Sequence, residues 1–262
     1  RLLRTFAALV AIDSPSLGER AMANELAERL SSLGLTVWED GAAEVLGGTA
    51  GNLIAKLPGS LDLPPLLFSS HMDTVAPARG KQAVFHRDGR ITSNGDTVLG
   101  ADDVGGLAAI LEALTVIQED LIPHRPLEIV FPAAEEIYGA GSKHLDYTRL
   151  RAREAYVLDL DGPIGRTALQ APSIIGFQAL IHGRASHAGM APEAGIHAIA
   201  VMGEALGQIR QGRVDELTTV NVGTIHGGLA SNIVPEVCRV TGEIRGFDHG
   251  LALGYLGRLR EI

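Results

Sequence analysis

Four short stretches carry side chains able to hold a metal ion: His71-Met72-Asp73, Asp102-Asp103, Glu135-Glu136 and Asp159-Leu160-Asp161. The first follows the apolar run Leu66–Phe68, which reads as a buried strand because it is short, continuous and preceded by prolines. Side chains alternate along an extended chain, so His71 and Asp73 point the same way. A histidine with a carboxylate on the same side suits a metal ligand and the group that orients it. Glu135-Glu136 closes the apolar run that begins at Leu127, and Asp159 directly follows the run Ala155–Leu158. Asp102-Asp103 lies in Gly100-Ala-Asp-Asp-Val-Gly-Gly106, ahead of an apolar helical pattern from Leu107 to Ile117. All four sets read as strand-to-loop junctions, and in open α/β sheets ligands bind at the carboxyl ends of the strands. If the strands are parallel these ends converge, and so much negative charge in one cleft needs a cation. One histidine among carboxylates suits a borderline divalent ion, most simply zinc. Two ions about 3.5–4 Å apart and bridged by one carboxylate would use these groups efficiently. Asp161 faces the same side as Asp159 and is the alternative to it; Asp159 is preferred because it directly follows the apolar run. Asp103 reads as a support for its loop.

The elements that must position these groups alternate in type. A first helix spans RLLRTFAALVAI and is broken at Ser14-Pro15-Ser16. A second has helical spacing at Met22, Leu26, Leu30 and Leu33, with Gly34 as its stop. Strands are expected at Val37-Trp38, Asn52–Leu57, Leu66–Phe68, Leu127–Phe131 and Ala155–Leu158, and a hairpin turning at Asp88-Gly89. This alternation argues for an α/β sheet with flanking helices. The pattern then shifts to long strand-like runs (Ile174–His182, Thr218–Ile225, Pro235–Gly246) and two helices, Gly195–Ile209 and Leu251–Ile262. That predicts a second, smaller α+β unit, with domains over 1–172 and 173–262.

Composition narrows the classes further. The 262 residues are 46% hydrophobic and 20% charged, an ordinary globular balance. A formal net charge of −9 argues against nucleic acid and against anionic membrane as partners. No apolar run is long enough to span a bilayer. The lone Cys238 excludes an internal disulfide framework and fits a reducing, cytoplasmic setting.

Taken together, His71-Met-Asp73, Gly100-Ala-Asp-Asp, Glu135-Glu136 and Val157-Leu-Asp159 resemble the di-zinc M20 metallopeptidases, and within them the tripeptide aminopeptidase branch. Asn52-Leu-Ile-Ala-Lys-Leu-Pro-Gly59, Ala185-Ser-His-Ala-Gly189 and Ala230-Ser-Asn-Ile-Val-Pro235 support the resemblance, which covers almost the whole chain. It implies a mostly parallel mixed sheet with flanking helices, joined to a lid that is also the dimerisation domain. It implies His71 and Asp159 as ligands of a first zinc, Asp102 as the bridging carboxylate and Glu136 as a ligand of the second. It implies Asp73 as the group that orients His71, and Glu135 as general base for a zinc-activated water. Manganese or cobalt is left open in place of zinc. In the lid it implies substrate-binding roles for His187, which reaches a neighbouring active site, and for Asn232 and Arg245. The partners implied are a short peptide substrate and a second copy of the chain.

The sequence departs from that family at two points. Val104 stands where the family usually has lysine after its aspartate pair. The family also uses a C-terminal histidine on the second zinc, and no residue of this sequence takes that role, so the second zinc is expected to be held weakly by these residues alone. The function expected is removal of the N-terminal residue from tripeptides or other short peptides. The alternatives are a deacylase or dipeptidase of the same family, which would favour a blocked amine, and a non-catalytic homologue. Glu135 weighs against the last, since a protein without turnover needs no base beside its metal ligands.

Overall fold

The computed structural model describes residues 1–262 as two compact units, Arg1–Arg166 and Thr167–Ile262. The first unit begins with helices α1 (Leu2–Val10) and α2 (Arg20–Ser32), then strand β1 (Thr36–Glu39) and a short helix α3 (Ala42–Leu46). Strands β2 (Leu53–Leu57) and β3 (Leu66–Ser69) follow, then the hairpin β4 (Ala83–Phe85) and β5 (Ile91–Ser93), whose turn includes Gly89. Helix α4 (Ala101–Glu119), β6 (Leu127–Phe131) and β7 (Ala155–Val157) complete the unit.

Its central sheet has the order β1-β2-β6-β3-β7. β3 pairs in parallel with both β6 and β7, and β2 is antiparallel to β1 and β6. Four of the five strands therefore run one way, and the ends of β6, β3 and β7 adjoin. The helical periodicity is visible in what is buried: Met22, Leu26 and Leu30 on α2, and Leu107, Leu111 and Leu114 on α4. These residues form one core with Leu53, Ala55, Ile129 and Phe131 of the sheet. Each of the Leu, Ile, Met and Phe side chains contributes about 1.5–3 kcal/mol on leaving water.

All five residues of β6 are buried, including Glu128. Its carboxylate accepts from the amides of Arg151 and Ala152 and pairs with Lys56 Nζ at 2.9 Å. Burial pushes its pKa up, but those amides and Lys56 outweigh it and hold the carboxyl below the ordinary 4.5. A depressed carboxylate adds stability that is complete above its unfolded-chain pKa and is lost as pH falls through the native one. The expected result is a urea midpoint that falls between about pH 5 and pH 3. The fall should be smaller in Glu128→Gln; equal pH dependence would remove Glu128 from the account.

The second unit contains β8 (Ser173–His182), α5 (Ala198–Gln208), β9 (Gly212–Arg213), β10 (Thr218–Gly227), β11 (Val237–Gly246) and α6 (His249–Leu259). Its strands form an antiparallel sheet in the order β8-β11-β10-β9. Ala198 and Met202 of α5 pack on Cys238 and Val240, and Ala252 of α6 packs with Val220 and Ile244. Asp248 caps α6 by accepting from the Leu251 amide at 2.9 Å, a contact of the kind worth about 1 kcal/mol. Along β11 exposed Val237, Arg239 and Arg245 alternate with buried Cys238, Val240, Ile244 and Gly246, while Thr241–Glu243 are half-buried.

Candidate metal centre

The candidate site lies where β3, β6 and β7 end. The chain beyond β3 stays extended, with the Met72 amide donating to the Pro132 carbonyl and the Leu158 amide donating to the Ser69 carbonyl. Met72 is fully buried in the core. Alternation then sends His71 and Asp73 to the other side, where both are buried.

Asp73 is the anchor of the site. Its Oδ1 accepts from the Glu135 amide at 2.8 Å, and its Oδ2 accepts from Ser16 Oγ at 2.6 Å and from the Glu136 amide at 3.2 Å. His71 Nδ1 stands 3.4 Å from Asp73 Oδ1, an ion-pair separation without hydrogen-bond alignment. One carboxylate thus fixes both the imidazole and the backbone that carries the two glutamates.

The other face of the imidazole meets the remaining acids. His71 Nε2 lies 3.0 Å from Asp102 Oδ1 and 3.8 Å from Asp159 Oδ1. Two sets of donor atoms lie within 4.8 Å of one another: His71, Asp102 and Glu136, and His71, Glu135 and Asp159. A divalent ion with bonds of about 2.0–2.2 Å can draw such groups together. Asp161 is not among them; its side chain is 93% accessible and pairs with Arg166.

Asp102 and Asp103 do not end a strand, as the sequence reading expected. They open α4, which Gly100 starts in the left-handed region, and the helical path is interrupted at Asp102 (φ −84°, ψ 106°). The peptide between them is cis. The sheet has no strand there because β4 and β5 form a separate hairpin. Asp102 projects beside His71, while Asp103 is buried and accepts from the amides of His71 and Gly106, both at 3.2 Å. Gly106 permits this approach, since a Cβ there would lie 2.5 Å from Asp103 Oδ1 and 2.7 Å from Ser70 Oγ.

The electrostatics match a cation site. Burial pushes Asp159 up to about 7, with Asp103 and Asp102 adding repulsion against the attraction of His71. Burial likewise lifts Asp103 to about 6 and raises Glu136, the latter aided by Asp102. For His71 burial works downward, but Asp73, Asp159 and Asp102 outweigh it and push the ring up to about 10. Burial and mutual repulsion thus raise Asp159, Asp103 and Glu136, and His71 supplies the positive charge that faces them. A divalent cation would take over that charge, and would have to displace the ring proton to do so.

Comparison with known proteins gives the family. Residues 171–253 match the peptidase dimerisation domain of M20, and residues 52–188 match peptidase family M28. A solved tripeptidase from Staphylococcus aureus subsp. aureus mu50 is 38% identical with a TM-score of 0.92, covering 100% of this chain and 70% of that one. The chain belongs to the M20 peptidase family. The M28 match begins at residue 52 and ends at residue 188, early in the second unit, whereas the S. aureus structure covers the whole chain. Among curated relatives, the uncharacterized protein YqjE of Bacillus subtilis (strain 168) is 40% identical over 245 residues, which is 94% of this chain and 66% of that protein. Peptidase T of Clostridium novyi (strain NT) is 29% identical over 266 residues, 88% of this chain and 63% of that protein. The M20 chain described here thus spans just under two thirds of the length of these curated relatives.

The second unit of this M20-family chain holds the other three candidates. His187 is exposed, and its Nδ1 accepts from the amides of Gly189 and Met190 at 3.1 and 3.2 Å. An accepting Nδ1 leaves the ring proton on Nε2, ready to donate. Asn232 is exposed next to it, its carbonyl accepting from the Ala188 amide. Arg245 stands at the other end of β11, beside Glu243 at 2.7 Å. β11 places about 25 Å of strand between Arg245 and Val237, and Val237 pairs with His182 at the end nearer His187 in sequence. Within one unit the three are therefore not brought to one small substrate.

Sequence reasoning missed Ser16, Glu19 and Lys81. Glu19 Oε1 accepts from the Ala134 amide at 2.9 Å, just before the glutamate pair. Lys81, fully buried, donates to Thr74 Oγ1 at 3.2 Å behind the His71 segment. None belongs to an acidic or histidine motif, and each acts through a loop fold that periodicity does not report.

Proposed function

We propose that the natural protein carrying this chain is a divalent-metal aminopeptidase that releases the N-terminal residue of tripeptides and other short peptides. The observation that carries the reading is the convergence of two donor sets on His71, in a chain 38% identical to a tripeptidase. His71 and Asp159 would hold one zinc ion, Glu136 the second, and Asp102 would bridge them; manganese or cobalt fits the same donors. Zinc there would supply Lewis acidity toward the scissile carbonyl and lower the pKa of water toward neutrality. Glu135, half-buried beside that site, takes the proton of the attacking water and returns it to the leaving amine. Asp73 keeps His71 in the ligating orientation. His187 supplies an Nε2–H donor to the substrate carbonyl, from a second copy of the chain, and Asn232 and Arg245 bind the rest of the peptide. Arg245 suits a C-terminal carboxylate. A homodimer through the second unit is supported by the match to a peptidase dimerisation domain. A cytoplasmic setting is supported by the single free cysteine. No helix is long and apolar enough to cross a membrane.

The test compares hydrolysis of a free tripeptide with that of its N-acetylated twin, at fixed zinc. Cleavage of the free peptide alone is the expected result. Cleavage of the acetylated peptide alone moves the substrate class to N-acyl amino acids, and no cleavage of either overturns the catalytic reading.

A further inference from the structure

Three consecutive amides, those of Ala134, Glu135 and Glu136, point at buried carboxylates. Asp73 takes the second and third, and Glu19 takes the first. Glu19 is fully buried, and its Oε1 also accepts from the Leu17 amide at 2.9 Å. Both amides belong to non-glycine residues in the left-handed region, Leu17 at φ 67° and Ala134 at φ 51°. Such conformations persist only where surrounding contacts over-determine them, and they cluster at functional sites. The other oxygen of Glu19, Oε2, is buried and has no hydrogen-bond partner. All the bonding of this side chain therefore runs through one oxygen.

We propose that Glu19 is a positioning residue for the Glu135-Glu136 loop: its Oε1 holds Ala134 in the left-handed conformation and so aims both glutamates at His71. The backbone reverses at this point, where the Ala140 amide donates to the Ala134 carbonyl and the Gly139 amide donates to the Glu135 carbonyl. Asp73 fixes where the loop sits, through the amides of the glutamates themselves. Glu19 fixes the turn that brings the chain out of Phe131-Pro132-Ala133 into that position. Without it Ala134 relaxes toward ordinary φ, and the Glu135 and Glu136 side chains swing away from the donor atoms on His71.

The catalytic consequence rests on the proposed peptidase reading; the structural one does not, so the test has two arms. The first is amide hydrogen exchange on the metal-free natural protein. Glu19→Ala is expected to speed exchange of the segment covering 132–137 by at least about tenfold, with the rest of the first unit unchanged. The second arm is tripeptide turnover with zinc. Glu19→Ala is expected to lower kcat about 100-fold, as for a displaced catalytic group, with KM within about twofold. Glu19→Gln, which keeps an oxygen at the Oε1 position, should recover most of that loss. Adding Ala134→Gly to Glu19→Ala should recover about tenfold, because glycine adopts positive φ without an anchor. A merely structural role would lower stability without this pattern of rescue. Unchanged exchange at 132–137 in Glu19→Ala, or a Gln variant no better than the Ala variant, overturns the proposal. If Glu19→Ala does not fold, Glu19→Gln carries the first arm alone. Its exchange at 132–137 must then stay within about threefold of the unaltered protein, and a larger rise overturns the proposal. If the unaltered protein cuts no peptide, the peptidase reading falls and the exchange arm still decides the role of Glu19.

Discussion

Glu135→Gln is expected to lower tripeptide turnover by roughly 10²–10⁴-fold while leaving bound zinc unchanged. That loss corresponds to about 3–5 kcal/mol of transition-state stabilisation. The substitution is isosteric, and the Glu135 amide stays bonded to Asp73 Oδ1, so the loop keeps its place. What disappears is a carboxylate able to take a proton from water. The companion variant decides the assignment, because geometry brings both glutamates to His71: Glu136 with Asp102 in one donor set, Glu135 with Asp159 in the other. Glu136→Gln should instead lose metal on dialysis and regain part of its activity at high zinc. Metal content after dialysis and kcat at saturating zinc separate the two. If Glu135→Gln loses metal and Glu136→Gln retains it, the base and the ligand exchange places.

The parts of the site that follow directly from strand endings were legible in the sequence. Leu66–Ser69, Leu127–Phe131 and Ala155–Val157 are short apolar runs, and each delivers its polar groups two to five residues later. Parallel pairing then brings those groups together. The Asp102 loop was not legible in the same way. Its acids open a helix after a hairpin outside the sheet, and only the fold shows how that loop returns to His71. Asp159 is preferred to Asp161 in the sequence because it directly follows the apolar run, and in the structure Asp159 joins a donor set while Asp161 pairs with Arg166. In the second unit the strands and helices follow their hydrophobic periods. The spacing of His187, Asn232 and Arg245 along the sheet does not follow from residue types. The supports behind the site left no pattern, because Ser16, Glu19 and Lys81 act by individual hydrogen bonds to loop groups, which no periodicity reports.

Asp73→Ala should lower both metal affinity and stability. It removes the acceptor of three donors, Ser16 Oγ and the amides of Glu135 and Glu136, and the carboxylate facing His71 Nδ1. A buried donor left without a partner costs about 1–3 kcal/mol, and loss of one member of a buried ion pair costs about 3–5 kcal/mol. These terms overlap, because Ser16 can rotate and water can enter, so a net destabilisation of about 3–5 kcal/mol is expected. Metal affinity should fall by about 10–100-fold, the usual consequence of removing a group that orients a ligating histidine. Turnover at limiting zinc should fall further, since the backbone of Glu135 loses its anchor in the same step. Asp73→Asn separates the contributions. Its amide oxygen can still accept from Glu135, while its NH₂ must face either His71 or the donors on the other side. It should therefore recover stability more than metal affinity. Urea midpoints and competition against a chromophoric chelator measure the two independently. Unchanged zinc affinity in Asp73→Ala would show that His71 needs no orienting carboxylate, and the anchor would then serve the glutamate loop alone.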